Sequence, residues 1–405
     1  MSGATLVVRN IGELATCDPL RGDAPGVVRN AAVAARGAVI TYVGPSDRLR
    51  DVAIDADAVE IDAQGMAVIP GFVDAHTHIV WLGDRSEEYA RRAAGASYEE
   101  IAAEGGGIMS TVRATAAGSV EQLIAAARTR AARMLRLGTT TVEVKSGYGQ
   151  SHNAEVRQLE AACALAVDAD LPSVVTTYLP LHAAPPLPRD VFIAGVCDEG
   201  VGRAAPLARF VDAFCEQGAY TVEECERVFN AARAAGLGLK VHAEQRSHSG
   251  GAQLAARLHA TSADHLEHAG DNDLRALAAA GTAGVILPGA SLVLGGPPPP
   301  GRRLLDAGAT VAIASDCNPG TCYSESMPLM VSLAVAMAGL TPAQALVAST
   351  AGGAAALALS DRGILREGMR CDLCILDSPR WLDIAYHLGA NPVAAVVHAG
   401  NPVAP

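Results

Sequence analysis

The chain has no apolar run approaching the ~18 residues that a membrane span needs. It has no dense stretch of lysine or arginine, and its formal net charge is −12. Proteins that hold nucleic acid through its phosphates carry a basic patch, so that class is excluded. An anionic substrate would gain nothing from the overall field and would depend on a local arginine. The nine cysteines keep no regular spacing. With no basic start and no apolar core of a secretion signal at the N-terminus, this predicts a reduced, cytoplasmic protein. Cys371 and Cys374 form a C-x-x-C, but they lie in the alternating run Met369–Leu376 and read as an ordinary strand rather than a redox or zinc pair. No glycine-rich dinucleotide fingerprint follows any strand-like segment.

What is present is apolar material. Half of the 405 residues are hydrophobic and 18% are charged, enough for a large core. The 41 glycines and 22 prolines are spread along the chain, which implies many turns rather than a disordered tract.

The first 65 or so residues read as short strands. Leu6-Val7-Val8-Arg9 is β-prone, and Gly37–Gly44 is a strand bounded by glycines. Ala32–Ala35 is a weaker candidate, since alanine has little β preference. The stretch from about Gly368 has the same texture. The two ends are therefore expected to build one small β-sandwich domain, residues 1–66 plus 367–405, around a barrel of residues 67–366. The middle alternates strands and helices. Strand-like segments run through Val68–His78, Thr139–Lys145, Ser173–His182, Phe210–Glu216, Gly238–His242, Ser262–His268, Thr282–Leu287 and Thr310–Asp316. Helical stretches such as Ser119–Leu137 and Thr221–Ala235 separate them. Eight such repeats predict a closed α/β barrel of (β/α)8 type, with a doubly wound open sheet as the alternative.

Several of these strands end in polar residues, and in a β/α barrel those ends converge on the active site. His76 and His78 close the first. Residues at i and i+2 of a strand share a face, so both imidazoles can meet one ion. His242, His265 and Asp316 stand at later strand ends. Any one of them alone is more often structural than catalytic. Together they form a donor set suited to Zn²⁺ or Fe²⁺ with a position left for water.

The motifs go further. Pro70–His78, Gly95–Ile101, Gly105–Arg113, Lys145–Gly149, Phe210–Glu216 and Asp316–Gly320 resemble the amidohydrolase superfamily and, within it, the imidazolonepropionase family of histidine degradation. The likeness covers nearly the whole chain. It implies one metal ion, zinc or iron, held by His76, His78, His242 and Asp316. It also implies a small-molecule substrate, 4-imidazolone-5-propanoate, and a homodimer. Substrate contacts would fall on Arg85, Tyr148, His182 and Gln245, and product contacts on Asn318, Gly320 and Thr321. Arg85 lies seven positions after His78 and could pair bidentately with a carboxylate tail. Without the resemblance it would read as a solvated loop arginine, Tyr148 as a packed rim aromatic and His182 as a loop cap.

Some members of the family carry Glu where this chain has Gln245. An amide cannot take or deliver a proton as a carboxylate does, so proton handling is expected from His265 with Asp316. Glu244 is expected to point away from the site. Lys145 ends the second barrel strand, whereas the carboxylated lysine that bridges two metals in other amidohydrolases ends the fourth; here the fourth ends in Cys215-Glu216, and one metal is expected. Rival readings are a deaminase using the same ligands, a catalytically dead scaffold, and an open-sheet binding protein.

Overall fold

A computed structural model describes residues 3–97, 100–101, 104–183 and 188–404. Tyr98 and Glu99 of the Gly95–Ile101 motif, and Pro185 and Pro186 after His182, lie outside the described residues.

The two ends of the chain meet in one mixed eight-stranded sheet. Its long strand Ala4–Ala15 pairs on one side with Val27–Arg36, which pairs in turn with Val39–Pro45. On its other side lie Ile54–Asp62, along the first half, and Val68–Pro70, at Leu14. Val68–Pro70 pairs with Leu373–Leu376, which leads to Val393–His398 and Asn401–Pro402. Three residues thus stitch the N-terminal strands to the C-terminal ones. Leu6, Val8, Ile11, Leu14, Val33, Ile40, Val68, Leu373, Ile375 and Val397 form one apolar core. Alanine's weak β preference is overridden by this packing: Ala31–Ala35 is a fully buried stretch of a regular strand.

The second sheet is a parallel barrel whose eight strands follow chain order. They are Phe72–Asp74, Thr139–Lys145, Ser173–Leu181, Phe210–Cys215, Gly238–Ala243, Ser262–His265, Ala283–Ile286 and Val311–Ile313. The segment Val68–His78, expected as one barrel strand, is divided. Val68–Pro70 belongs to the terminal sheet, and the barrel begins at Phe72. The break falls at Pro70-Gly71. A Cβ on Gly71 would lie 2.3 Å from Thr140 Oγ1, so only glycine lets the chain cross there.

Eighth and first strands meet beyond their regular parts. Asp316 N donates to His76 O (3.0 Å) and His78 N donates to Cys317 O (3.0 Å). The barrel is closed by the same residues that carry the candidate ligands. Among the covering helices, Val120–Arg136 and Val222–Ala234 start at Ser119 and Thr221, each a reciprocal capping box with the Gln or Glu three residues on. Leu123, Ala127, Ala131, Met134 and Leu135 are buried along the first of these. Among the described residues no helix is long and apolar enough to cross a membrane.

Candidate metal centre

At the C-terminal mouth of the barrel the Nε2 atoms of His76 and His78 lie 3.3 Å apart, and each is 3.6 Å from Asp316 Oδ1. The His242 ring centre is 4.4 Å from that of His76 and 5.5 Å from that of His78. All four residues are buried. Among the described residues His242 Nε2 has no hydrogen-bond partner. A buried imidazole nitrogen with nothing to bind is costly unless a ligand completes it. His76, His78 and Asp316 form one cluster able to hold a divalent cation, and His242, with its unmet nitrogen, clusters with His76 and His265 and with His78 and His182. His182 stacks on His78 at 4.9 Å with an interplanar angle of 9°, and could itself reach the same ion.

The supporting contacts explain the aim of each ring. His76 Nδ1 lies 2.6 Å from Asp264 Oδ2, and His242 Nδ1 lies 2.9 Å from Asp212 Oδ2. Carboxylates on the far nitrogen fix the tautomer and turn Nε2 inward. Burial, reinforced by the neighbouring cations, pushes the imidazoles of His76 and His78 well below their ordinary pKa, so both are neutral and able to coordinate. Asp316 sits in the left-handed region at φ 51°, and its Oδ2 accepts from Thr321 Oγ1 at 2.9 Å. Burial raises its carboxyl, against the pull of His265.

His265 is held at φ 80°, 5.5 Å between ring centres from His76 and 5.4 Å from His242. Its Nδ1 is 3.7 Å from Glu267, whose other oxygen accepts from Ser291 Oγ at 2.7 Å. Burial opposes its charge, but Glu267, Asp316 and Asp264 outweigh burial and raise the imidazole above its usual value. That suits a group that receives a proton.

The rim residues fall into two groups. Tyr148 and His182 flank His78, with ring centres 6.0 and 4.9 Å from it. His182 Nδ1 is 3.1 Å from Gly147 O. The buried Glu155 orders their loop by accepting from the backbone N–H of Gly147, Gly149 and Gln150. Arg85 lies over Gly320, where a Cβ would meet Arg85 Nη1 at 2.3 Å. Its Nε donates to Glu88 Oε2 (2.8 Å), which also accepts from Gly107 N. Asn318 spends its side chain on the loop: Oδ1 accepts from Gly320 N and Thr321 N, and Nδ2 donates to Asp316 O and Thr321 Oγ1.

Gln245 follows in the turn after the fifth strand and is half-buried. Glu244 does face away from the ion site, though not because the chain is extended there. At φ 56° it turns back to accept from the N–H of Ser249, Gly250 and Ala252. Lys145 is committed to ion pairs with Asp212 (2.7 Å) and Glu143 (3.0 Å). Sequence reasoning passed over Asp212, Asp264, Glu143, Lys240, Glu267 and Glu88. The signal for the first four was charge interrupting an apolar strand, since a charged residue in a fully buried strand requires a partner.

A closed parallel barrel with imidazoles and an aspartate converging at its strand ends defines the amidohydrolase class. Comparison with known proteins agrees. The amidohydrolase family model matches residues 67–403. The imidazolonepropionase of Rubrobacter xylanophilus is 45% identical over 415 aligned positions, covering 100% of both chains. That of Deinococcus radiodurans is 46% identical, covering 96% of this chain and 97% of its own. Among solved structures, 5-methylcytosine deaminase from Klebsiella pneumoniae superposes with a TM-score of 0.75 at 20% identity, covering 98% of this chain and 97% of its own. A zinc-bound adenosine deaminase from Xanthomonas campestris gives 0.72 at 21%, covering 99% and 93%. At that identity the deaminases speak for the fold alone. The chain belongs to the amidohydrolase family and, within it, to the imidazolonepropionases.

Proposed function

We propose that this chain hydrolyses the cyclic amide of 4-imidazolone-5-propanoate to N-formimidoyl-L-glutamate. The observation that carries the reading is the 44–46% identity, over nearly full length, to curated imidazolonepropionases. It is a hydrolase of carbon–nitrogen bonds in cyclic amides.

One ion, Zn²⁺ or Fe²⁺/Fe³⁺, would be held by His76, His78, His242 and Asp316. When bound, it would supply Lewis-acid chemistry, making a water easier to deprotonate near neutral pH and polarising the ring carbonyl. The chain's own residues do the rest. Arg85 faces the propanoate carboxylate and sets the direction in which the ring enters. The near-parallel His78–His182 stack and Tyr148 form a wall for the planar ring. Gln245 hydrogen-bonds the ring amide but moves no proton. His265, beside Glu267, takes the proton of the attacking water and returns it to the leaving ring nitrogen, with Asp316 as its partner. Asn318, Gly320 and Thr321 form the loop that meets the product.

The nine cysteines are free thiols, in keeping with a reducing cytoplasm, and the family implies a homodimer. Residues 1–66 with 367–405, and residues 67–366, are proposed as the two structural units, except that Val68–Pro70 pairs into the sheet of the first. The test is turnover of enzymatically generated imidazolone propionate with metal analysis of the same sample. Formimidoyl-glutamate is the expected product. Release of ammonia instead, or inertness of the metal-replete protein, would overturn the assignment.

A further inference from the structure

Directly beneath the candidate metal residues the barrel interior holds charges instead of apolar side chains. Glu143, Lys145, Asp212, Lys240 and Asp264 are all fully buried. Lys145 Nζ reaches Asp212 (2.7 Å), Glu143 (3.0 Å) and Asp264 (3.4 Å). Lys240 Nζ donates to Glu143 Oε2 and to Ala75 O, both at 2.8 Å. Glu143 also accepts from Thr177 Oγ1 at 2.5 Å. Asp264 and Asp212 are the carboxylates against the far nitrogens of His76 and His242. Glu143 pairs with both lysines and so ties them together.

The arithmetic of the network is informative. Two ammonium groups face three carboxylates, leaving one net negative charge, and Asp316 above adds a second. A dication between the imidazoles would balance these two charges, while the neighbouring His265 and Glu267 face each other. Unbalanced buried charge is strongly destabilising, so such a count has consequences. Asp74 is bound by Ser315, outside the lysine pairs, and is common to every variant below.

We propose that the Lys145–Glu143–Lys240 network is a positioning and charge-balancing device for the ion. It aims Asp264 and Asp212 at two candidate ligand imidazoles and sets the net negative charge that a divalent cation completes. The inference rests on the metal reading above.

The test is the affinity of the full-length chain for Zn²⁺, read by competition with a chromophoric chelator after metal removal. Glu143→Gln removes one negative charge and leaves one amide oxygen, which can accept from Lys240 or from Thr177 but not from both, since these bind different carboxylate oxygens. Its Zn²⁺ dissociation constant is expected to rise at least ~10-fold. Glu143→Gln combined with Lys240→Met removes a whole ion pair and restores the original net charge, so it is expected to recover most of the lost affinity. If packing alone mattered, the double variant would be no better than the single. Equal affinity of Glu143→Gln and the unaltered chain, or no recovery in the double variant, overturns the proposal. Circular dichroism reports folding; should Glu143→Gln fail to fold, Asp264→Asn removes the same charge and is expected to weaken Zn²⁺ binding in the same direction. An unaltered chain that holds no stoichiometric Zn²⁺ would overturn the metal reading as well.

Discussion

The two eight-stranded sheets of this molecule are filled in opposite ways. Inside the terminal sheet, burial follows side-chain type: Leu6, Val8, Ile11, Leu14, Leu373 and Ile375 point to one apolar core. In the barrel interior, burial follows pairing: Glu143, Lys145, Asp212, Lys240 and Asp264 are as inaccessible as any leucine, and each lies against an opposite charge. An apolar core stabilises wherever it forms. A charged one costs desolvation and returns it only through geometry. That difference separates the part of the protein that holds shape from the part that holds an ion.

Asp316→Ala should break the polar side most severely. It removes a carboxylate 3.6 Å from two imidazole nitrogens and undoes a residue held in a left-handed conformation. Turnover should fall at least ~10³-fold, together with metal content. Full metal occupancy with normal turnover would take Asp316 out of the site. His265→Ala comes next, and it separates proton handling from metal holding. A loss of about 10²–10⁴-fold in turnover is expected with the ion retained. Near-normal turnover would exclude His265 as the proton carrier.

On the apolar side, Leu14→Ala should destabilise the fold by about 2–5 kcal/mol. Leu14 is fully buried at the point where Val68 joins the two ends of the chain. The folded fraction should keep its kcat, measured beside a denaturation curve. A selective fall in kcat would mean that the terminal sheet shapes the site. Arg85→Lys is a smaller change at the rim. Lysine keeps the charge but loses the fork that can meet a carboxylate bidentately. The expected outcome is a roughly tenfold rise in KM with kcat less affected. An unchanged KM would assign the carboxylate to another residue.

Much of this contrast was legible in the residues. Strand ends that finish in His or Asp located the mouth, and i, i+2 spacing put His76 and His78 on one face. The helical stretches Ser119–Leu137 and Thr221–Ala235 matched the observed helices Val120–Arg136 and Val222–Ala234 to within a residue at each end. Less legible was what depends on contacts across the chain. Pro70-Gly71 reads as a turn, but that it hands the chain from one sheet to the other depends on Thr140, seventy positions on. Asp212 and Asp264 sit inside strands, and their meaning appears only when His242 and His76 arrive beside them. Glu244 shows the same limit: its direction was anticipated, while the left-handed turn that produces it was not.

The smallest test lies at an outer joint, where a charge is paired near the surface of the terminal sheet. Asp18 accepts from Arg366 Nε at 2.9 Å and from Leu20 N at 2.9 Å, tying the end of the first strand to the return of the chain. The Arg366 hydrogen bond, against a smaller burial effect, holds the Asp18 carboxyl below the ordinary range. A depressed carboxyl stabilises the fold above the unfolded pKa of about 3.9, and that contribution is lost as pH falls through the folded value. Asp18→Asn should therefore cost about 1 kcal/mol near neutral pH, where Arg366 remains partly exposed to screening. The difference from the unaltered chain should shrink towards zero below the carboxylate range. Equilibrium denaturation at several pH values measures both. A gap that persisted undiminished in acid would show that Asp18 acts through its cap on Leu20 and its packing, with no part played by its charge.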